Sequence, residues 1–283
     1  MARRAMRAAL ELRRSGNEAK GDPICVYDLG ERLGIEVKFC PGSSLGGMYA
    51  KASRTVLVPA LRPPGRQAFT CAHEIGHWHF GHGSRIDDVA AVEADYETDP
   101  DEELANIFAG YLLMTPWAVQ AALDIRGWRA AVLTPVQTYS LASQFGVGYE
   151  TFVQHLRISL DMITRPAAEQ LLRSTPKLIR REVLGDDRLR HMIIADRAWR
   201  KIAIDLQVGD VAVVERDVAV NGASIKLVGM CEAGHIIEGV TPGIGLLQAT
   251  SGDWASSVRV RRRDFEGRAI YRHVEDPDVD PTP

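Results

Sequence analysis

The amino-acid sequence predicts an α+β protein, in which a mainly helical domain with a small sheet precedes a smaller β-rich region. Three observations support this class. The composition is that of an ordinary globular protein, with 46% hydrophobic and 25% charged residues. Short β-prone runs bounded by turn residues dominate beyond about residue 200. Apolar residues recur at helical spacing earlier in the chain, most clearly at Leu104, Ile107, Phe108, Tyr111 and Leu112.

The 283 residues are enough for one large domain or two ordinary ones, and we expect two. The first domain covers 1–165 and includes a helix-turn-helix-like segment at about 136–160, where two helical patterns flank a tight Gly-Val-Gly turn. The second covers 166–283, with a linker helix and a β-rich part.

The first domain begins with alternating helices and strands. Two helices are predicted, at 1–14 and 26–33, and Gly34 ends the second. Two strands are predicted at 35–39 and 55–58, and Gly46 and Gly47 between them indicate a loop. A further helix is predicted from about Gln67 to Phe80.

The rest of that domain contains an acidic stretch and a strong helix. We expect most carboxylates of residues 85–103 to belong to a solvated loop or helix face. Asp99 can cap the following helix, with Pro100 at its first position.

The second domain is predicted from its β-prone runs at 211–220, 223–230, 236–240 and 257–260. Asn221-Gly222 predicts a hairpin between the first two runs. The basic residues Arg259, Arg261, Arg262 and Arg263 are interpreted as a solvated strand end.

Charge and cysteine content narrow the function classes. The formal net charge is -3, so no global basic field indicates nucleic acid. The four cysteines form no CxxC pair, which argues against a thiolate zinc site and favours a reducing compartment. No apolar run approaches the roughly 18 residues of a membrane span. We therefore expect a cytoplasmic protein without a membrane partner.

The strongest signal is the sequence His73-Glu74-Ile75-Gly76-His77. Residues four apart on a helix share a face, so both imidazoles can bind one Zn²⁺ ion. Glu74 is placed to act as the general base that takes a proton from the attacking water. The small residue Gly76 could let another backbone or a substrate approach closely.

A third ligand must come from elsewhere, because catalytic zinc usually has three protein ligands. Glu102 could bind the metal while Asn106, four residues on, orients a ligand. The residues alone leave this open. Glu102 could instead be a capping-box residue reaching back to Asp99, and Asp101 and Glu103 are rival ligands.

Three segments resemble the ImmA/IrrE family of metallopeptidases: residues 66–78 (RQAFTCAHEIGHW), 102–116 (EELANIFAGYLLMTP) and 141–148 (LASQFGVG). The likeness covers about residues 5–160. It implies a zincin-like peptidase fold with Glu102 as the third ligand. It also implies a metallo-endopeptidase whose protein substrate is a helix-turn-helix transcriptional repressor, acting in mobile-element or stress responses. A C-terminal module is a sensor in some relatives, so residues 166–283 could be regulatory.

Several assignments stay open at this point. Mn²⁺ or Fe²⁺ also suits two histidines and a carboxylate. Tyr49, His79, His82 and Tyr139 are candidates for contacting the substrate or the oxyanion. One alternative is a DNA-binding regulator that uses Gln154, His155 and Arg157, and another is an inactive binding module with a peptidase fold.

Overall fold

The fold is α+β, as predicted, in a computed structural model that describes residues 1–41, 45–82, 86–88, 99–185, 190–200 and 202–274. The helices are α1 Ala2–Ser15, α2 Val26–Arg32, α3 Pro64–Phe80, α4 Pro100–Leu113, α5 Pro116–Asp124, α6 Pro135–Gln144, α7 Tyr149–Gln154, α8 Arg165–Leu172 and α9 Pro176–Leu184. A π-helical turn, His155–Ser159, continues α7. No helix in the described ranges is long and apolar enough to cross a membrane.

Most strands lie beyond residue 190, which confirms the β-rich C-terminal region. The strands are β1 Glu36–Cys40, β2 Leu45–Ala50, β3 Thr55–Pro59, β4 Ile86–Asp88, β5 Met192–Ile194, β6 Ile204–Gln207, β7 Val211–Val214, β8 Val218–Asn221, β9 Ile225–Cys231, β10 Gly234–Gly239, β11 Gly243–Ala249, β12 Ala255–Arg261 and β13 Gly267–Arg268.

A five-stranded mixed sheet in the order β13-β1-β3-β2-β4 supports the first half of the chain. β1 and β3 are parallel, and the other pairs are antiparallel. The prediction of a loop at Gly46 and Gly47 is wrong, because both residues lie within β2. Most of the acidic stretch, 89–98, lies outside the described residues.

Two four-stranded sheets, β5-β7-β10-β9 and β6-β12-β11-β8, form the C-terminal region and share one apolar core. Trp199, Leu247, Trp254 and Val258 are among the buried residues of this core. The hairpin predicted at Asn221-Gly222 is wrong. β8 and β9 belong to different sheets, so this turn carries the chain from one sheet to the other.

Strand β7 joins the C-terminal region to the helical half, because it is buried on both faces. Val211 and Val213 belong to the main core, whereas Ala212 and Val214 belong to the core between the two sheets. On the helical side, the Tyr139 hydroxyl of α6 donates to the carbonyl of Met192 in β5 at 2.8 Å. The boundary proposed near residue 165 falls at the first residue of α8.

A cluster of charged side chains joins the two halves a second time. Asp28 of α2 accepts hydrogen bonds from Arg259 and Arg272, each at 2.7 Å. Arg259 also makes a bidentate pair with Asp205 of β6, at 2.6 and 2.7 Å. The prediction of a solvated strand end is therefore wrong for Arg259, which pairs with acids distant in sequence. It is also wrong for Arg261, which is buried and donates to Gln67 of α3.

Candidate metal centre

Helix α3 carries the His-Glu-x-x-His motif in the interior of the molecule. The helix begins with Pro64 at its first position and ends at Gly81, which adopts the left-handed conformation. His73, Glu74 and His77 lie in its buried middle and are 7%, 2% and 2% exposed. Buried polar groups need partners, so their surroundings define the site.

Helix α4 supplies the facing carboxylate. The Asp99 side chain accepts from the backbone N–H of Asp101 at 2.9 Å, and Pro100 follows Asp99, so the predicted start of the helix is confirmed. Gly76 of α3 allows α4 to approach closely, because a Cβ atom there would lie 2.9 Å from Phe108 Cδ1 and 3.4 Å from Ala105 Cα. This contact brings the first turn of α4 to the histidines of α3.

Three side chains converge at this contact. Nε2 of His73 lies 3.2 Å from Oε2 of Glu102, and Nε2 of His77 lies 3.3 Å from Oε1. The two Nε2 atoms are 2.9 Å apart. Within the part of the chain that the structure describes, this is the one group of three histidine, cysteine or acidic residues whose ligand atoms converge.

The spacing of these atoms suits a tetrahedral metal ion. Ligand atoms at about 2.0–2.1 Å from Zn²⁺ lie about 3.3 Å from one another along the edges of a tetrahedron. The two nitrogen–oxygen separations match this value, and the nitrogen–nitrogen separation is slightly shorter. Two imidazoles and one carboxylate therefore fit a divalent ion with one open position.

The converging side chains border a large cavity. The Glu102 side chain is 27% exposed, whereas the side chains of His73 and His77 are 8% and 3% exposed. His73 and Glu102 lie in the wall of a cavity of about 1240 Å³. The lining also includes Ile193 and Leu206 from the C-terminal region, so both halves of the chain contribute to this cavity.

Electrostatics favour an ionised Glu102. Its hydrogen bonds to His73 and His77 hold its pKa well below the ordinary value, against the opposing effect of partial burial. The capping-box alternative does not describe this carboxylate, which is directed at the two imidazoles. Asp101 and Glu103, the rival acids, do not belong to the converging group.

Each histidine of the group has a polar partner on its other ring nitrogen. Asn106 Oδ1 lies 3.0 Å from Nδ1 of His73, the position expected of a residue that orients a ligand. Nδ1 of His77 lies 2.9 Å from Nδ1 of His82, which in turn lies near Asp101.

Glu74 lies beneath strand β2, where Gly47 makes room for it. A Cβ atom at Gly47 would lie 2.6 Å from Oε1 of Glu74 and 2.5 Å from Cγ2 of Thr70. A larger residue at position 47 would have to displace the side chains of Thr70 and Glu74, so glycine lets the β2 backbone pass close to α3. The sequence pattern suggested a loop at Gly47, so this contact was not predicted.

The other predicted contact residues are engaged elsewhere. Tyr49 is buried in β2, and the ring of His79 stacks on Phe108 with centroids 5.8 Å apart. Burial also lowers the pKa of His79. The Tyr139 hydroxyl is bonded to the carbonyl of Met192. Of the four candidates, His82 contacts the converging group, through Nδ1 of His77.

A buried helix with two histidines one turn apart, facing an acid from the following helix, defines a metallopeptidase-like domain. The comparison with protein families leads to the same class. Residues 31–157 match the family model Peptidase_M78, described as the IrrE N-terminal-like domain. These residues are therefore similar to the N-terminal domain of IrrE, which confirms the resemblance to the ImmA/IrrE family seen in the sequence.

Comparisons with solved structures and with curated proteins do not define the function further. One similar solved structure is described as a Mycobacterium tuberculosis transcriptional regulator, with 21% identity and a TM-score of 0.37. The match covers 54% of this chain and 46% of the regulator, so it spans less than half of that protein and carries no functional argument. No curated protein matches the chain.

Proposed function

We propose that this chain is a zinc-dependent endopeptidase that cleaves a peptide bond in a protein partner. The observation that carries the proposal is the convergence of His73, His77 and Glu102 around a space of the size that a tetrahedral ion needs. Mn²⁺ and Fe²⁺ are alternative occupants, because the donor set also suits them.

The roles of the residues follow from their positions. His73, His77 and Glu102 would hold the metal, and Asn106 would fix the ring of His73 through its Nδ1. A bound ion would supply Lewis acidity, lowering the pKa of water toward about 7 and polarising the carbonyl to be cleaved. Glu74, adjacent to His73 on the same helix, would take the proton of the attacking water and deliver it to the leaving amine.

The cavity supports a protein substrate. Its volume of about 1240 Å³ exceeds the roughly 300–1,000 Å³ of usual small-molecule pockets. An extended segment of another protein is therefore a suitable occupant. Family resemblance suggests a helix-turn-helix transcriptional repressor as that protein, and the walls from the C-terminal region would contribute to its selection.

The DNA-binding alternative loses one of its candidate contacts. His155, in the second helix of the helix-turn-helix-like segment, is buried and donates from Nε2 to the carbonyl of Met114 at 2.8 Å. Arg157 is partly buried and is hydrogen-bonded to Gln154. No contact in this segment favours DNA binding over packing.

The proposal can be tested by coexpressing the chain with a repressor encoded beside its gene and following the repressor by mass spectrometry. Wild type should yield a shortened repressor that disappears when a chelator is added. Glu74→Gln should bind Zn²⁺ as wild type does and cleave at least about 100-fold more slowly, because the general base is lost. Cleavage by Glu74→Gln at the wild-type rate would refute the mechanism.

Neighbouring acids on α4 provide a matched control. Glu102→Gln should lose both Zn²⁺ binding and cleavage, whereas Glu103→Gln removes a neighbouring charge that lies outside the converging group and should retain both. Equal loss in the two variants would indicate a general effect of charge, and Glu102 would then not be a ligand.

A further inference from the structure

A line of three side chains leads from the metal centre to the start of α4. His77 Nδ1 lies 2.9 Å from Nδ1 of His82, and His82 Nε2 lies 3.3 Å from Oδ1 of Asp101. We propose that His82 and Asp101 are positioning residues, which fix the tautomer and the ring orientation of His77. The proposal rests on the metal-binding role proposed above for His77.

The tautomers along this line determine one another. Nε2 of His77 faces His73 and Glu102, so it must carry a lone pair to bind an ion, and its proton belongs on Nδ1. Nδ1 of His82 can accept a hydrogen bond from that N–H only if it carries no proton itself. The proton of a neutral His82 ring is then on Nε2. The carboxylate of Asp101 accepts hydrogen bonds and has none to donate when ionised. Oδ1 of Asp101, an acceptor 3.3 Å from Nε2 of His82, therefore favours the metal-binding tautomer of His77 through His82.

The end of α3 explains how His82 reaches His77. Gly81 has a φ of 74°, and its N–H donates to the carbonyl of Trp78 at 3.2 Å. The N–H of His82 donates to the carbonyl of His77 at 3.0 Å. These two bonds are a Schellman motif, which brings the side chain after the glycine onto the last turn of the helix. The contact is usually apolar, but here it joins two imidazoles whose centroids are 5.0 Å apart.

Packing holds the ring of His82 in place, and a helix cap holds the backbone of Asp101. The His82 side chain is 8% exposed, and its ring stacks on Phe80 with centroids 5.7 Å apart. The backbone of Asp101 is held by the cap at Asp99, at 2.9 Å. His82 thus connects the last turn of α3 to the first turn of α4, the same turn that carries Glu102. Removing it should loosen the ligand geometry as well as the His77 ring.

The test is the Zn²⁺ affinity of purified full-length variants, measured by competition with a chromophoric chelator. His82→Ala should bind Zn²⁺ about 10–100-fold more weakly, the usual loss when the outer partner of a metal-binding histidine is removed. His82→Asn should recover most of the loss, because its Oδ1 can take the place of Nδ1 as acceptor. Asp101→Ala should show a smaller loss, and the absorption of the Co²⁺-loaded protein should change in His82→Ala and return in His82→Asn.

His155→Ala is the matched control, since it removes another buried imidazole, which is hydrogen-bonded to the carbonyl of Met114 and packs against Tyr111. It should lower thermal stability and leave Zn²⁺ affinity unchanged. Wild-type affinity in His82→Ala, or no recovery in His82→Asn, would overturn the proposal. If His82→Ala does not fold, the Zn²⁺ affinities of His82→Asn and Asp101→Ala provide the test. Wild-type affinity in Asp101→Ala would then overturn the proposal.

The two proposals can fail separately. If wild type binds Zn²⁺ in a His82-dependent way but cleaves no partner, the positioning role stands and the peptidase function fails. If wild type cleaves its partner and His82→Ala binds Zn²⁺ normally, only the positioning role fails.

Discussion

Lowering the pH from 7.5 to 5 should destabilise the folded chain through His155, the residue that holds the helix-turn-helix-like segment against α4. The side chain is 6% exposed and donates from Nε2 to the carbonyl of Met114. Its other ring nitrogen packs against Gly110 of α4, where a Cβ atom would lie 2.9 Å from Nδ1. Burial lowers the pKa of His155 from 6.5 to about 4.

The direction of the effect follows from this shift. The folded chain binds the proton less readily than the unfolded chain, so protonation favours unfolding. The contribution of neutral His155 to the free energy of unfolding is fully present above pH 6.5 and is lost as the pH falls toward 4. A pH of 5 lies 1.5 units below 6.5, the pKa of the imidazole in the unfolded chain. At about 1.4 kcal/mol per pH unit, the free energy of unfolding falls by about 2 kcal/mol.

Denaturation by urea at pH 7.5 and at pH 5 measures this loss. His155→Gln is the reference, because its amide can still donate to Met114 but does not titrate. The wild type should lose about 2 kcal/mol more than His155→Gln between the two pH values. If both proteins lose the same free energy of unfolding, His155 is not the acid-sensitive group.

Two further changes test other contacts. Gly47→Ala should displace the Glu74 carboxylate and slow cleavage roughly 100-fold without changing Zn²⁺ affinity. If the variant cleaves at the wild-type rate, Glu74 can move aside without loss of function. Asp28→Asn should lower the free energy of unfolding at pH 7 by about 2 kcal/mol, because Arg259 and Arg272 lose a charged acceptor. These arginines hold the pKa of Asp28 below its usual value although burial alone would raise it, so the effect should begin to shrink as the pH falls below about 4 and decrease further at lower pH. Glu11→Gln, in an exposed pair, should cost less than about 0.5 kcal/mol, and an equal loss in both variants would contradict the role of Asp28.

Local patterns in the sequence predicted the helices of the site well. The apolar spacing of α3 and the Asp99-Pro100 start of α4 are signals carried by a few adjacent residues. The residues alone could not decide whether Glu102 was a cap or a ligand, since the third position of a helix suits both. The contact of Gly76 with α4 brings Glu102 to the histidines, and the partner of that contact lies about thirty residues away.

The errors arise where distant partners override a local signal. Glycines are unfavourable in strands, so Gly47 suggested a loop, but its position over Glu74 requires a residue without a side chain. Arg259 belongs to a basic run, yet its partner Asp28 is 231 positions away. Asn221-Gly222 does form a turn, but the strands it joins pair with β11 and β10 rather than with each other.

The C-terminal region contacts the helical half of the chain at several separate places. β13 pairs with β1, α6 is hydrogen-bonded to β5, and Asp28 binds Arg259 and Arg272. The cavity that exposes Glu102 has walls from both halves. We expect a partner that reaches Glu102 through this cavity to contact the C-terminal region as well. We expect changes in the sandwich of two sheets to alter which protein is cleaved, while the chemistry stays with α3 and α4.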